Sequence, residues 1–339
     1  MPRILHISDT HILVTKRHDE YRQIFQKIYE LAREQKVTHI VHTGDLFHSK
    51  LQLTPECVSL AVEFLRSLSE IAPVYMIPGN HDGNVRSLKR LDSISPIVEA
   101  LKSDRIHYFK KSGEYDTGDV VFGAFSMFDP ENYPTVSDRS KLNIALYHGS
   151  ISGVMTDSGY VISHGDCDVS IFSGYDYALL GDIHLSNQKV DDEGRVRYCG
   201  STIQQNFGET DDKGVMIWDI QDKNAFTVTH HQFKNPKPYV TIELDSEGRF
   251  DDWRQFPAGS RIRLQTYYNL TADRVKNALD AVKARYKPES VTFVSKALTN
   301  KENLEKVSNL SRIMNLRDVN VQEELISEYL KQYNPTQEM

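Results

Sequence analysis

Apolar and polar positions alternate along the first half of the chain in two different periods. The short apolar run Arg3–Ile7 reads as a strand. After it, Tyr21, Ile24, Phe25, Ile28, Tyr29 and Ala32 recur at the three-and-four spacing of a helix with one buried face. The alternation then repeats. His39–Thr43 is a second strand, and Thr54 with Pro55 supplies an N-cap and first-turn pair for a helix that turns Val58, Ala61, Leu65 and Leu68 inward. Val74–Ile77 is a third strand. More are predicted at Val120–Phe125, Asn143–Tyr147, Tyr177–Leu180, Val196–Cys199, Val215–Ile220 and Phe226–His230, the last three at hairpin-like spacing. The pattern predicts a layered α/β fold with a second, partly antiparallel sheet.

The character of the chain changes at Asn235-Pro236-Lys237-Pro238, where two prolines suggest a boundary. Beyond it, strands at Tyr239–Leu244, Arg261–Gln265 and Ser290–Val294 surround a Thr271-capped helix carrying Val275, Leu279 and Val282 on one face, which describes a small appended α/β module. From about Lys301 two amphipathic patterns follow, Leu304/Val307/Leu310/Met314 and Val321/Leu325/Ile326/Tyr329/Leu330. So short a tail cannot bury both stripes alone, so it needs a surface, either the body of the same chain or a partner. The expected organisation is residues 1–235, 236–296 and 297–339.

Composition narrows the function classes. With 339 residues, 39% hydrophobic and 26% charged, the chain falls in the globular range with room for about two domains. No apolar run approaches the roughly 20 residues of a membrane span, and Asp9 interrupts the N-terminus too early for a signal-peptide core, so a cytoplasmic location is expected. Cys57, Cys167 and Cys199 are odd in number and widely spaced, which excludes a disulfide framework or a zinc knuckle. The net charge of -7 lies mainly in residues 1–235, while residues 236–296 are modestly basic. Bulk charge would not grip nucleic acid.

Five short strings combine carboxylate, imidazole and amide groups: Asp9-Thr10-His11, Gly44-Asp45-Leu46-Phe47-His48, Gly79-Asn80-His81-Asp82, Tyr147-His148-Gly149 and Gly181-Asp182-Ile183-His184. Each follows an apolar run that ends in a turn-permissive residue, so all five are expected to project from one edge of the fold, where α/β proteins place their sites. Hard oxygen mixed with borderline nitrogen, without thiolate, suits Mn²⁺, Mg²⁺, Fe²⁺ or Zn²⁺. His6, His39, His42, His107, His230 and His231 sit in strand contexts and read as core or surface histidines.

The ordered set D-x-H, G-D-x-F-H, G-N-H-D, H-G and G-x-x-H resembles the calcineurin-like metallophosphoesterase superfamily over roughly residues 1–235. Gly44-Asp45-Leu46-Phe47-His48-Ser49, the G-N-H-D form and Tyr198-Cys199-Gly200-Ser201 are similar to SbcD-type DNA nucleases, and the chain's compactness is similar to phage recombination nuclease subunits. The module and tail resemble, by layout, that family's DNA-capping domain and ATPase-binding helices.

That resemblance implies a two-sheet metallophosphoesterase sandwich flanked by helices, with a small α/β capping domain and a helical tail. It implies two divalent ions, Mn²⁺ foremost and Mg²⁺ as the alternative. One would sit between Asp9, His11 and His184, the second between Asn80, His148 and Asp182, with Asp45 bridging. His81 matches the family's catalytic histidine, Asp82 would orient it by accepting its other N–H, and His48 would help orient the phosphate for exonuclease cleavage. The implied activity is a 3′–5′ exonuclease and single-strand endonuclease acting in double-strand break repair, recombination and end processing. Its partners would be DNA, an SbcC-type coiled-coil ATPase and a second copy of the chain within a heterotetramer, near the nucleoid of a bacterial or phage-infected cell.

One position departs from the family. Where G-H-x-H is usual, Asp182 replaces an imidazole, which should favour Mn²⁺ or Mg²⁺ rather than abolish the site. The rival readings are a phosphoprotein phosphatase or cyclic-nucleotide phosphodiesterase, and a non-catalytic scaffold. The phosphatase form is disfavoured because no Asp-Arg-Gly follows His48 and Asp82 stands where Glu is usual. Arg86, Lys89 and Arg90 form a basic run that would either contact DNA backbone or be a solvated face, and the amides and Phe207 of Ser201–Gly208 either line a substrate groove or form a plain loop.

Overall fold

A computed structural model describes residues 2–297 apart from 86, 88, 89, 252 and 253. The tail patterns, and Arg86 and Lys89 of the basic run, therefore lie outside the described residues. The chain divides into Met1–Pro236 and Lys237–Met339.

In the first unit β1 (Arg3–Ile7), α1 (His18–Glu34), β2 (His39–His42), α2 (Pro55–Ile71), β3 (Val74–Met76), α3 (Ser95–Leu101) and β4 (Ile106–Tyr108) alternate. They are followed by β5 (Gly113–Asp116), β6 (Val120–Phe125), β7 (Leu142–His148), β8 (Tyr177–Gly181), β9 (Gln188–Lys189), β10 (Val196–Tyr198), β11 (Gly214–Ile220) and β12 (Phe226–Gln232). The strands form two mixed sheets, in the orders β12-β11-β1-β2-β3-β4 and β5-β6-β7-β8-β10-β9. This is the layered α/β sandwich that the sequence pattern predicts.

Local chemistry accounts for the helices. The predicted face of α1 is buried, and on α2 the Thr54 hydroxyl accepts from the Cys57 N–H while Pro55 occupies the first turn. Both helices pack on the outer face of the first sheet, where Phe25 stacks on Phe64 at 3.9 Å between ring centroids. A second core lies between the sheets and includes Ile4, Val41, Phe122, Leu146 and Trp218. Because β6 is covered on both sides, all six of its residues are buried. Cys57 and Cys199 are buried free thiols, and Cys167 is a half-buried one.

The hairpin-like trio of strands is corrected by the structure. Only β11 and β12 form a hairpin, and it joins the first sheet beside β1. The strand before them, β10, belongs to the second sheet, parallel to β8 and antiparallel to the two-residue β9. The physical reason is the segment 199–213, which carries the chain from one sheet to the other instead of turning back on itself.

The second unit contains β13 (Tyr239–Leu244), β14 (Arg261–Thr266), α4 (Ala272–Tyr286) and β15 (Ser290–Ser295). Its three strands are parallel, in the order β13-β14-β15. Thr271 caps α4 by accepting from the Arg274 N–H, and Val275, Leu279 and Val282 pack with Ile242, Ile262 and Leu264 into a separate core. Among the described residues no helix is long and apolar enough to cross a membrane.

Candidate metal centre

β1, β2 and β3 run parallel and adjacent in one sheet, and β7 and β8 do so in the other, so five carboxyl ends open on the same edge. All five sequence strings lie at these ends. The loops are knitted together by backbone bonds: Asp9 N–H donates to Gly44 O at 3.1 Å and His11 N–H to Asp45 O at 2.9 Å. Across the sheets the Asp182 N–H donates to Asp9 Oδ2 at 3.1 Å. Asp9, His11, Asp45 and Asp182 all have positive φ, at 49°, 48°, 57° and 91°. Such conformations are costly for residues with side chains and collect at functional sites. The motif glycines permit the crowding. A Cβ on Gly44 would stand 2.5 Å from His148 Nδ1, and one on Gly79 would stand 2.2 Å from Asp45 Oδ1.

The donor atoms fall into two neighbouring groups. In the first, His184 Nε2 lies 3.1 Å from His11 Nε2 and 3.7 Å from Asp9 Oδ1. In the second, His148 Nε2 lies 3.7 Å from Asp182 Oδ1, to which Asn80 Nδ2 also donates at 3.2 Å. Asp45 spans both, with Oδ2 3.4 Å from His11 Nε2 and Oδ1 3.5 Å from His148 Nε2. The Nε2 of His148 and the Oδ1 of Asn80 are buried without a hydrogen-bond partner among the described residues. Burying polar atoms that way is expensive unless a ligand completes them. Asp9, His11 and His184 bring three donor atoms within 4.8 Å of one another, as do Asp9, Asp45 and His148.

The electrostatics agree with a cation site. Burial disfavours charge on His148, but Asp45, Asp9 and Asp182 outweigh it and hold that imidazole's pKa well above the usual histidine range. Burial likewise opposes charge on His184, yet the hydrogen bond to Glu209 and the charge of Asp9 raise it to about 9. Burial would raise Asp45, but His148 and His11 bring its carboxyl well below the carboxylate range. Asp9 is pushed up to about 6 by burial. Burial instead holds His11 well below the usual histidine range, but the carboxylates around His148 and His184 make a potential that favours cations there.

His81 stands beside these groups, its ring centroid 4.9 Å from that of His11. Its backbone N–H donates to Asp45 Oδ1 at 2.7 Å, and its Nδ1 meets the His48 carbonyl at 2.6 Å. His48 is exposed, with its ring 5.8 Å from that of His81. Asp82 does not orient His81, contrary to the sequence expectation. Its carboxylate turns away into the fold, accepts from Gly79, Leu46 and Phe47 N–H groups at 2.9, 3.3 and 3.1 Å, and clasps the second and third loops together. Burial, then the charge of Asp45, raises it to about 7.

Sequence reasoning also missed Glu209, whose Oε1 lies 2.9 Å from His184 Nδ1, and Lys213, which donates to His184 O at 2.7 Å. The stretch 201–208 turns much of its polar surface inward: Thr202 Oγ1 donates to Ser8 O, and Ser201 Oγ, Gln205 N–H and Asn206 Nδ2 all donate to the Glu209 carboxylate.

The calcineurin-like phosphoesterase family profile matches residues 2–186, more than half of the chain. The chain belongs to that family. Over 256 residues it is 36% identical to an uncharacterized protein, R555, of Acanthamoeba polyphaga mimivirus, covering 71% of this chain and 19% of that one. It is 28% identical over 218 residues to the DNA double-strand break repair protein Mre11 of Saccharolobus solfataricus, covering 58% of this chain and 53% of that one. With the SbcD polypeptide of the nuclease SbcCD of Staphylococcus epidermidis it shares 26% over 282 residues, covering 72% and 73%. The chain thus spans about half or less of the length of the first two relatives. Such relatives place the family resemblance on its Mre11 and SbcD branch.

The family implies divalent metal ions, and the donor set fits them. It offers carboxylate, imidazole and amide groups at separations a small cation can bridge, and two buried donor atoms without a hydrogen-bond partner among the described residues.

Proposed function

We propose that this chain hydrolyses DNA phosphodiester bonds as the nuclease component of an SbcCD-like complex, as a 3′–5′ exonuclease and single-strand endonuclease. The observation that carries the reading is the convergence of five strand ends on seven donor groups, with Asp45 facing both halves. Relatives named for double-strand break repair and as part of a nuclease supply the substrate class.

Asp9, His11 and His184 would hold one ion and Asn80, His148 and Asp182 the other, with Asp45 shared. Mn²⁺ is the preferred ion and Mg²⁺ the alternative, because Asp182 adds a hard oxygen. Bound divalent ions supply Lewis acidity, an activated water and neutralisation of phosphate charge. The residues of the chain do the rest. The His48 carbonyl fixes the His81 ring by accepting its Nδ1–H, which leaves Nε2, when the ring carries its second proton, to hand that proton to the departing sugar oxygen. His48, on the exposed side, orients the phosphate. An acidic unit gains its hold on DNA from those ions, from the basic run that includes Arg90, and from partners. The tail after Ala297 is proposed to bind a coiled-coil ATPase, and the working assembly to contain two copies of this chain in the cytoplasm.

The test is hydrolysis of end-labelled duplex and single-stranded DNA with Mn²⁺ or with EDTA, using His81→Ala as a comparison. Metal-dependent shortening that falls about 10²-fold or more in the variant is expected. Intact DNA alongside cleavage of a small phosphodiester would reject the substrate. A chain ending at Ala297 should keep small-substrate hydrolysis and lose ATPase binding, and retained binding would reject that role for the tail.

A further inference from the structure

Glu209 and Lys213 are 8% and 2% exposed, an acid and a base taken almost wholly out of water. Burying such charges is expensive, and it is offset only where good hydrogen bonds use them. Here both converge on one residue. The Glu209 Oε1 faces the His184 imidazole at 2.9 Å, while Oε2 accepts from Gln205 N–H at 2.9 Å and Ser201 Oγ at 3.2 Å. Lys213 Nζ donates to the His184 carbonyl at 2.7 Å, lies 3.8 Å from Glu209 Oε2, and is paired on its far side with both oxygens of Asp157, at 3.0 and 2.8 Å. The imidazole ring and the backbone of His184 are therefore held by two different charged groups that also face each other. A pair serving only to pin the 199–213 segment would have no need to address both ends of one metal-binding histidine.

We infer that Glu209 is the positioning residue of His184, held in place by Lys213, and that it sets the divalent-ion affinity of the Asp9, His11 and His184 half of the centre. Accepting the Nδ1–H fixes which nitrogen carries the proton. It leaves Nε2 facing Asp9 Oδ1 and His11 Nε2, and makes that nitrogen a stronger donor. The other half is built differently. There the Nδ1 of His148 meets a backbone carbonyl, Thr43 O, at 2.7 Å, so the acceptor behind the ring is neutral.

The inference rests on the metal-centre reading, and calorimetry separates the two. Mn²⁺ is titrated into the full chain and its Glu209→Gln and Glu209→Ala variants, with thermal unfolding measured alongside. The wild type is expected to bind two ions. In Glu209→Ala one affinity should fall roughly 10- to 100-fold while the other stays within about threefold, and Glu209→Gln, of nearly equal volume, should show a smaller loss at the same site. Two unchanged affinities would overturn the inference, and so would equal losses at both sites, the outcome of general loosening. If Glu209→Ala does not fold, Glu209→Gln decides on the same criterion. A wild type that binds no ion removes the metal-centre reading, and the inference with it.

Discussion

Two pairs of histidines in the first unit behave in opposite ways. His6 and His42 sit inside β1 and β2, fully buried, and their Nε2 atoms meet the hydroxyls of Thr43 and Thr10 at 2.9 Å each. Burial, helped by a second imidazole nearby, drives both down to about 3, so they are neutral core side chains. His148 is buried at the end of β7 and His184 half-buried just beyond β8, yet both are raised. The difference is the number of carboxylates they face. His148 has Asp45, Asp9 and Asp182 and His184 has Glu209 and Asp9, whereas at His42 burial and the His148 ring outweigh Asp45, and at His6 burial is joined by the His42 ring. Burial alone therefore does not distinguish a core imidazole from a ligand. At His148 and His184 the carboxylates outweigh burial. At His11, which also faces Asp45, burial wins and holds the imidazole well below the usual range, so charge marks two of the ligands and position at the strand ends marks all three.

The strongest way to break this contrast is to remove the shared carboxylate. Asp45→Ala takes away the carboxylate whose two oxygens face His11 and His148, and which also accepts the His81 N–H. Hydrolysis of a small phosphodiester should fall about 10³-fold or more, since metal-assisted charge stabilisation is worth several kcal/mol and each 1.36 kcal/mol is roughly tenfold. Steady-state rates at saturating Mn²⁺ measure it. A loss below about tenfold would mean that Asp45 is a structural acid like Asp82.

A smaller change sharpens the contrast within the centre itself. Asp182→His exchanges one of the carboxylates facing His148 for an imidazole. It should lower the Mg²⁺-supported rate relative to the Mn²⁺-supported rate by about tenfold, because Mg²⁺ depends on hard oxygen more than Mn²⁺ does. The ratio of the two rates is the readout, and an unchanged ratio would remove residue 182 from the ligand set.

Much of this was legible in the chain of residues alone, for a physical reason. A donor residue that directly follows an apolar run emerges at a strand end, in three of the five strings just after a glycine, and five such strings in order leave little freedom about where they meet. Three things were not legible. Asp82 follows His81 directly, which invites pairing them, but successive residues in a tight turn face different ways, and the Gly79, Leu46 and Phe47 N–H groups capture the carboxylate. Glu209 lies 25 residues from His184, just past a stretch that reads either as a substrate-groove lining or as a plain loop, so only the folded geometry joins them. β10 is three residues long, and neither its length nor its composition says which sheet it will join.

The smallest predicted effect tests the core side of the comparison and is read in stability rather than rate. For His6 the proton affinity is lower folded than unfolded, about 3 against 6.5. As pH falls below 6.5 the unfolded chain takes up a proton that the folded chain refuses, so stability present above 6.5 is progressively lost, at up to about 1.4 kcal/mol per pH unit, until the pH reaches roughly 3. His148 and His184 act with the opposite sign: raised when folded, they stabilise below 6.5, and for His184 that is lost as pH rises toward about 9. Their contributions are present in wild type and variant alike and cancel in the difference. His6→Gln keeps a polar side chain near the Thr43 hydroxyl and does not titrate. Denaturant unfolding between pH 6.5 and 5 should show wild-type stability falling more steeply than that of the variant, by somewhat less than one proton's worth of slope. Parallel slopes would mean that His6 takes up its proton in the folded state as readily as in the unfolded chain. The division between core and ligand imidazoles would then have to rest on geometry without the electrostatics.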